Sequence, residues 1–210
     1  PTEAPYWPYE PEADRNALTP IPRPSVSAAA PARTESSRSA KKAPLSQAQK
    51  IVGISIGASK RWITKRWPLE YLIRLCEELE SKDIRVIITG TQDDLPFANM
   101  LINSLKNTKI INACGKTSIN ELAVLIKKCQ VFISADSSPL HISSAVGTPF
   151  IALFGPTDYR RHLPPGKNHI VINKDLNCSP CYKTKCRTKR CMVEIDPAQI
   201  RMNPLERRGI

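Results

Sequence analysis

The sequence predicts an α/β fold with a doubly wound parallel sheet, and three observations carry that prediction. Short apolar runs recur along the chain, as at residues 51–56 and 84–89. Segments with apolar residues at helical spacing separate these runs, and each of the longer runs ends at a glycine or serine. Strands that are apolar on both faces must be covered on both sides, which indicates a Rossmann-like unit of roughly five or six strands.

The elements can be predicted in chain order. We predict strands at residues 51–56, 84–89, 110–111, 131–133, 150–154 and 170–172. We predict helices at residues 69–81, 95–105, 118–128 and 139–147, with a final helical turn from residue 196. Ser118 and Glu121 form a capping-box pattern at the third helix. Ser138 is the expected N-cap of the fourth helix, and Pro139 suits its first position.

Charge and composition restrict the class of protein. The 210 residues carry a net charge of +12. Residues 160–190 hold nine Lys or Arg against a single acid, Asp175, which predicts an anionic partner. No apolar run approaches the roughly 18 residues of a membrane-spanning helix, and no signal peptide is visible. Seven cysteines without a secretory signal favour a reducing, cytoplasmic compartment.

The chain divides into three parts. Residues 1–45 contain nine of the nineteen prolines and few aliphatic residues, so we predict a disordered tail or linker there. Residues 46–203 form the predicted Rossmann-like domain, and residues 204–210 form a short tail.

The loop after the first strand, residues 57–68, is rich in cations. Gly57 permits close approach of the backbone to a ligand. Lys60 and Lys65 can reach a diphosphate as point charges, and Arg61 and Arg66 can form forked hydrogen bonds to it. The alternative is a solvated basic loop in front of a helix.

The loop after the second strand carries Asp93 and Asp94. A carboxylate at a strand end can accept the hydroxyls of a ribose, as in dinucleotide-binding folds. Helix capping by either aspartate is the alternative.

The loop after the fourth strand is followed at once by a helix N-terminus, which favours bound anions. Asp136 can hold sugar hydroxyls, and Ser137 and Ser138 can hold a phosphate. His141, one turn into the helix, faces either the ligand or the sheet.

A cysteine-rich basic segment, residues 178–192, contains Cys178, Cys181, Cys186 and Cys191. A structural zinc site is one interpretation, although these spacings are tight for a zinc ribbon. A redox-labile thiol cluster and a compact loop with small buried residues are the others. Cys76, Cys114 and Cys129 are predicted to lie in the core.

At these motifs the chain resembles glycosyltransferase family 9, the heptosyltransferases of lipopolysaccharide core synthesis, over about residues 50–200. The matching motifs are Gly57-Ala58-Ser59, Lys65-Arg66-Trp67-Pro68, Gly90, Cys114-Gly115-Lys116-Thr117, Asp136-Ser137-Ser138-Pro139-Leu140-His141, Gly147-Thr148-Pro149 and Phe154-Gly155-Pro156-Thr157. The cysteine-rich segment also looks like the C-terminal cysteine cluster of many members.

The resemblance implies the GT-B architecture of two facing Rossmann-like domains, with this chain as the C-terminal, donor-binding half. It implies ADP-heptose as donor, inverting transfer without a metal cofactor, and a phosphorylated acceptor of the lipid A–Kdo type at the inner face of the inner membrane. The donor-binding residues expected from the motifs and the resemblance are Gly57, Ser59, Lys60, Lys65, Asp93, Asp94, Asp136, Ser137, Ser138 and His141.

Two departures from the family pattern matter. The family more often has Thr-Gly where this chain has Ser137-Ser138, and Ser138 restricts how closely the backbone can approach a phosphate. The family's general base is an aspartate of the N-terminal domain, and residues 1–49 are too short and too rich in proline to be that domain. We therefore expect the base to lie outside these 210 residues. Two alternative functions stay open: a non-catalytic nucleotide-sugar-binding domain, and a nucleic-acid-binding module built on the cysteine-rich basic segment.

Overall fold

The computed structural model describes residues 50–105, 110–166 and 168–200, apart from the side chain of Lys60. The predicted tails, residues 1–45 and 204–210, lie outside the described residues. In the described part of the chain, no helix is long and apolar enough to cross a membrane.

Six parallel strands form one sheet, as the sequence predicts. The strands are β1 (Ile51–Ser55), β2 (Arg85–Thr89), β3 (Ile111–Asn112), β4 (Val131–Ala135), β5 (Phe150–Phe154) and β6 (His169–Asn173). Their order across the sheet is β3-β2-β1-β4-β5-β6, which is doubly wound, and the order reverses between β1 and β4. Ligands of such sheets bind outside the carboxyl ends of the strands at this switch point.

Seven α-helices accompany the strands in the described residues. They are α1 (Leu69–Ser81), α2 (Leu95–Ser104), α3 (Ile119–Lys127), α4 (Ser138–Ala145), α5 (Tyr159–His162), α6 (Arg190–Val193) and α7 (Pro197–Ile200). The five predicted helices are confirmed, and no end differs from the prediction by more than two residues. The four-residue helices α5 and α6 were not predicted, because one turn is too short to produce a periodic apolar pattern.

The basic loop after β1 is more regular than predicted. It contains a 3-10 helix, Lys60–Lys65, which is interrupted at Trp62 by non-helical backbone angles. Thr64 inside it is only 2% exposed. The loop is therefore a packed element that fixes where Lys65 lies.

Apolar side chains cover both faces of the sheet. Along β4, Val131 and Ile133 belong to the cluster that includes α1 and α2, whereas Phe132 belongs to the cluster that includes α3 and α4. This alternation follows from the period of two in a strand. The prediction that Cys76, Cys114 and Cys129 lie in the core is confirmed. Burial raises the pKa of the Cys76 and Cys129 thiols to about 12 and that of Cys114 to about 11.

Candidate functional site

A cavity of about 720 Å³ opens at the carboxyl ends of β1, β2 and β4, next to the switch point of the sheet. Ser55 of β1 pairs with Thr89 of β2, so the loops after both strands start at the same edge. Seven of the predicted donor-binding residues line the cavity: Gly57, Ser59, Lys65, Asp94, Asp136, Ser137 and Ser138. The prediction that three separate loops meet around one space is therefore correct in its geometry.

Lys65 and Asp136 form an ion pair on the cavity wall. The Lys65 Nζ donates to Asp136 Oδ2 at 2.7 Å, and it lies 3.3 Å from the carbonyl oxygen of Asp136. The ammonium also lies 4.6 Å from the centre of the Trp62 ring. Only 15% of the lysine side chain and 8% of the aspartate side chain are exposed. Because the ammonium is already held in place, the lysine side chain loses little conformational entropy when an anion binds beside it.

Asp136 has a second donor behind it. Thr157 Oγ1 donates to Asp136 Oδ2 at 2.7 Å, and both residues are buried. The same carboxylate oxygen thus accepts from a neutral hydroxyl and from the lysine. The other oxygen, Oδ1, has no hydrogen-bond partner among the described residues, so this carboxylate can accept a further hydrogen bond.

The N-terminus of α4 forms the next part of the wall, but its capping differs from the prediction. Ser137, not Ser138, is the N-cap, and Pro139 is the second helical residue. The Ser137 hydroxyl does not cap the helix; it lies 3.1 Å from Ser134 Oγ and donates to the carbonyl of Ala135 at 3.2 Å. The helix dipole and the backbone amides, rather than the serine hydroxyls, are then the main attraction for an anion here.

Arg66 was predicted to fork onto a diphosphate, and the structure assigns it a different place. Its Nη2 donates to Asp94 Oδ1 at 2.5 Å, and its guanidinium lies 4.6 Å from the centre of the Phe97 ring. Arg66 does not line the cavity. Its Nη2 ties the first loop to the second and gives the buried carboxylate of Asp94 a counter-ion, whereas its buried Nε has no hydrogen-bond partner among the described residues.

Asp94 was predicted as a possible ribose acceptor, with helix capping as the alternative. Asp94 Oδ2 accepts from both the N–H and the hydroxyl of Thr91, at 2.9 and 2.8 Å, in a capping box. With Oδ1 bound to Arg66, both oxygens have partners, and the residue is 2% exposed. The geometry therefore favours the capping role, although the residue borders the cavity.

Position 57 requires a glycine because the loops after β1 and β2 approach each other closely there. A Cβ at this position would lie 2.5 Å from Asp94 Oδ2. At Gly90, the added carbon would lie 3.0 Å from Asp94 Cβ and 3.2 Å from Cys114 Sγ. These glycines allow the loops after β1 and β2 to close over the buried carboxylate.

The other predicted donor-binding residues lie away from the cavity wall or cannot be placed on it. His141 is exposed, and it does not line the cavity. Asp93 is also exposed and outside the lining. The side chain of Lys60 is not among those described. Arg61, the remaining cation of this loop, is exposed and outside the lining as well.

Sequence reasoning missed several residues that complete the cavity. Polar groups come from Thr91, Gln92, Thr117 and Ser118, and apolar groups come from Trp62, Ile119, Leu122, Pro139 and Ile142. Ile119 is 75% exposed although it is the first residue of α3. The isoleucine inside the Ser118–Glu121 capping-box pattern is the one sequence signal that could have pointed to this wall.

The cysteine-rich segment lies outside the cavity lining. Cys178 and Cys186 are exposed, Cys181 is half-buried and Cys191 is buried. Within the described ranges, no three His, Cys, Asp or Glu side chains are grouped so that they could hold a metal ion. Burial and the neighbouring thiols raise the pKa of Cys191 to about 11, whereas the N–H of Lys189 lowers the pKa of Cys186. The zinc interpretation stays a prediction.

The sheet order and the cavity at its switch point define the chain as a Rossmann-like α/β domain. More specifically, the chain belongs to glycosyltransferase family 9 (heptosyltransferase), whose family model matches residues 17–192. That match begins inside the predicted tail, in a stretch outside the described residues.

Characterised relatives agree with this assignment. Lipooligosaccharide heptosyltransferase 2 of Campylobacter jejuni subsp. jejuni serotype O:6 is 31% identical over 161 residues, which cover 74% of this chain and 51% of that protein. Lipopolysaccharide heptosyltransferase 3 of Escherichia coli is 33% identical over 119 residues, covering 56% of this chain and 35% of that protein.

Solved structures share the fold. The crystal structure of the glycosyl transferase family 9 from Veillonella parvula DSM 2008 has a TM-score of 0.68 and 25% identity, covering 79% of this chain and 47% of that one. The structure of E. coli ADP-heptose lps heptosyltransferase II has a TM-score of 0.66 and 23% identity, covering 79% and 48%. The chain thus spans about half the length of these two structures and of the Campylobacter relative.

Proposed function

We propose that this chain is the donor-binding half of a heptosyltransferase-like enzyme that transfers heptose from ADP-heptose to the inner core of lipopolysaccharide. The observation that carries the proposal is the Lys65–Asp136 pair beside the N-terminus of α4, inside a cavity at the switch point of the sheet. Membership of glycosyltransferase family 9 supports it. We further propose that the chain is the C-terminal half of a GT-B architecture.

The site chemistry suits departure of a nucleoside diphosphate. Charge develops on the leaving phosphate as the glycosidic bond breaks, and a fixed ammonium with the positive end of a helix stabilises it. Lys65 supplies the first and α4 the second. We propose in-line displacement at the anomeric carbon with inversion, with these groups in the role that a metal ion has in other transferases. The general base that takes the acceptor proton belongs to the facing domain in this proposal.

The positive charge of residues 160–190 is the basis on which we propose the acceptor substrate. The nine cations of residues 160–190 suit a phosphorylated lipid of the lipid A–Kdo type. Arg160 and Arg161 in α5 follow the carboxyl end of β5, the same edge of the sheet as the cavity. We propose a cytoplasmic protein that touches the inner face of the inner membrane and does not bind nucleic acid.

Ligand binding tests the proposal directly. We expect the 210-residue chain to bind ADP and ADP-heptose in isothermal titration. Lys65→Ala should weaken binding of both ligands, and Asp136→Ala should weaken binding of ADP-heptose, each by about tenfold or more, since each removes one charged hydrogen-bonding group. Arg61→Ala is the matched control, because Arg61 lies in the same loop but is exposed and outside the cavity lining. Unchanged affinity in both site variants would contradict the assignment.

The non-catalytic alternative needs a different measurement. A protein that spans both halves should transfer heptose from ADP-heptose to a deacylated inner-core acceptor, with product detected by mass spectrometry. Tight ADP-heptose binding without any transfer would favour the nucleotide-sugar-binding domain without catalysis.

A further inference from the structure

The cysteine-rich segment lies outside the cavity lining, yet its backbone contacts a loop that supports the Lys65–Asp136 pair. The Ser179 hydroxyl donates to the carbonyl of Gly155 at 2.5 Å. The N–H groups of Cys181 and Tyr182 both donate to the carbonyl of Pro156, at 3.0 and 2.8 Å. Three hydrogen bonds therefore fix two consecutive carbonyls immediately before Thr157.

Close packing reinforces these hydrogen bonds. A Cβ added at Gly155 would lie 2.4 Å from Met192 Sδ and 3.2 Å from Cys191 Sγ. Cys191 and Met192 are both buried. The far end of the segment thus fills the space directly against the backbone of the loop that contains Thr157.

The same segment also contacts the loop that contains Lys65. Thr64 Oγ1 donates to the carbonyl of Lys183 at 3.0 Å, across 119 positions of sequence. Thr64 is 2% exposed and directly precedes Lys65. A buried hydroxyl with such a partner restricts the backbone of the 3-10 helix at the position next to the lysine.

We propose that residues 179–183 form a positioning segment for the donor site, acting on Lys65 through Thr64 and on Asp136 through Gly155–Thr157. The inference rests on the proposed function, in which Lys65 and Asp136 contact the donor. Thr64 and Thr157 are positioning residues, because neither lines the cavity. This gives the segment a role that depends on its backbone contacts and requires no metal ion.

The physical reason lies in the shared carboxylate oxygen. Asp136 Oδ2 accepts from Thr157 and from Lys65, each at 2.7 Å. Removal of the threonine hydroxyl leaves a buried acceptor with one partner fewer and allows the carboxylate to rotate. The lysine side chain is a flexible stem of four carbons, so its ammonium then loses its fixed position beside the cavity.

Two readouts test the inference. The first is the acetylation rate of Lys65, measured by mass spectrometry in the absence of ligand, which reports how firmly Asp136 holds the ammonium. The second is the affinity for ADP. The variants are Thr157→Val and Thr64→Val, with Thr157→Ser as the conservative rescue. Thr148→Val is the matched control, because Thr148 is 5% exposed and donates to the carbonyl of Ile126 at 3.0 Å, away from the cavity lining.

We expect Thr157→Val to raise the acetylation rate of Lys65 and to weaken ADP binding, each by about tenfold, the scale of one hydrogen bond to a charged group. Thr64→Val should change both by about threefold, and Thr157→Ser should restore most of each loss. In a Lys65→Ala background, Thr157→Val should have less than about twofold further effect on ADP binding, because it acts through the lysine.

The inference is overturned if Thr64→Val, which removes the hydrogen bond to Lys183, changes Lys65 acetylation no more than Thr148→Val does, or if Thr157→Val weakens ADP binding equally with and without Lys65. Circular dichroism checks that each variant is folded. If Thr157→Val does not fold, the acetylation rate of Lys65 in Thr64→Val alone tests the inference. A wild-type chain that fails to bind ADP contradicts the proposed function alone, since the acetylation rates still judge the positioning.

Discussion

Lys65 and Arg66 are consecutive cations, and each pairs with an aspartate, but they lie in different environments. Lys65 pairs with Asp136 on the wall of the cavity, whereas Arg66 pairs with Asp94 outside its lining. The exposed fractions of the two cationic side chains are similar, 15% and 18%. Burial alone therefore does not separate a candidate ligand-binding cation from a structural one.

The difference comes from the backbone and from the carboxylates. Lys65 ends the 3-10 helix, and Arg66 has extended backbone, so the two side chains leave the chain in different directions. Asp94 is saturated by Arg66 and Thr91, while Asp136 retains one oxygen without a partner among the described residues. The remaining acceptor capacity of the paired carboxylate therefore distinguishes a candidate binding site from a structural ion pair.

The largest effect should come from breaking the structural pair. Arg66→Ala leaves the carboxylate of Asp94 buried with one partner fewer, so we expect the free energy of unfolding to fall by about 3–5 kcal/mol. Urea denaturation measures it. Arg190→Ala is the control, because Arg190 forms an exposed pair with Glu194 and should cost less than about 1 kcal/mol. Equal losses would show that the Arg66 pair is no more than a surface pair.

Breaking the cavity pair should affect binding more than folding. Lys65→Met keeps most of the length of the side chain and removes its charge, so we expect ADP affinity to fall by about 30-fold, or ~2 kcal/mol. The free energy of unfolding should fall by about 1–2 kcal/mol, less than for Arg66→Ala, because Thr157 still donates to Asp136 and that carboxylate borders the open cavity. A stability loss as large as that of Arg66→Ala would erase the distinction between the two pairs.

Gly57→Ala should perturb the Arg66–Asp94 pair from the side of the aspartate. The new methyl group would press on the Asp94 carboxylate, which Arg66 and Thr91 hold in place. We expect a loss of about 1–2 kcal/mol in the free energy of unfolding, the usual cost of overpacking. Gly147→Ala serves as a comparison at a different kind of glycine. There φ is +76°, and an added Cβ would meet no atom within 4 Å beyond its chain neighbours. A Gly57→Ala protein as stable as wild type would mean that the loops separate without cost.

The smallest effect should come from Arg61, the exposed cation of the same loop. We expect Arg61→Ala to change ADP affinity by less than about twofold at 0.15 M salt, because screening weakens charges that lie outside the cavity. Titration at lower salt should reveal a larger difference. A loss comparable to that of Lys65→Met would show that net loop charge, and not the fixed ammonium, binds the diphosphate.

The strand-end loops could be predicted from the sequence because parallel strands place their carboxyl ends at one edge of a sheet. That rule predicts that the loops containing Lys65, Asp136 and Ser137 lie at the same edge of the sheet. The role of each cation within its loop could not be predicted, since Arg66 and Lys65 have the same charge and neighbouring positions. Asp94 illustrates the same limit: capping and ribose binding both suit an aspartate at that position.

Thr64, Thr157 and the cysteine-rich segment were beyond sequence reasoning for a related reason. Their contacts join residues that lie 119 and 21 positions apart, and a hydroxyl carries no pattern that reveals such a partner. Ile119 gave a weak signal, but only its exposure in the folded chain shows that it borders the cavity.

The parallel α/β architecture and the three strand-end loops can be read from the sequence, because apolar periodicity and the glycine, serine and proline residues that end strands and helices are local features. Motif order was sufficient to indicate the family. Only tertiary contacts fix which aspartate pairs with which cation and which acceptor oxygen keeps no partner among the described residues. They also bring the cysteine-rich segment against the loops that contain Thr64 and Thr157. These features depend on distances between side chains that are remote in sequence, and folding alone brings them together.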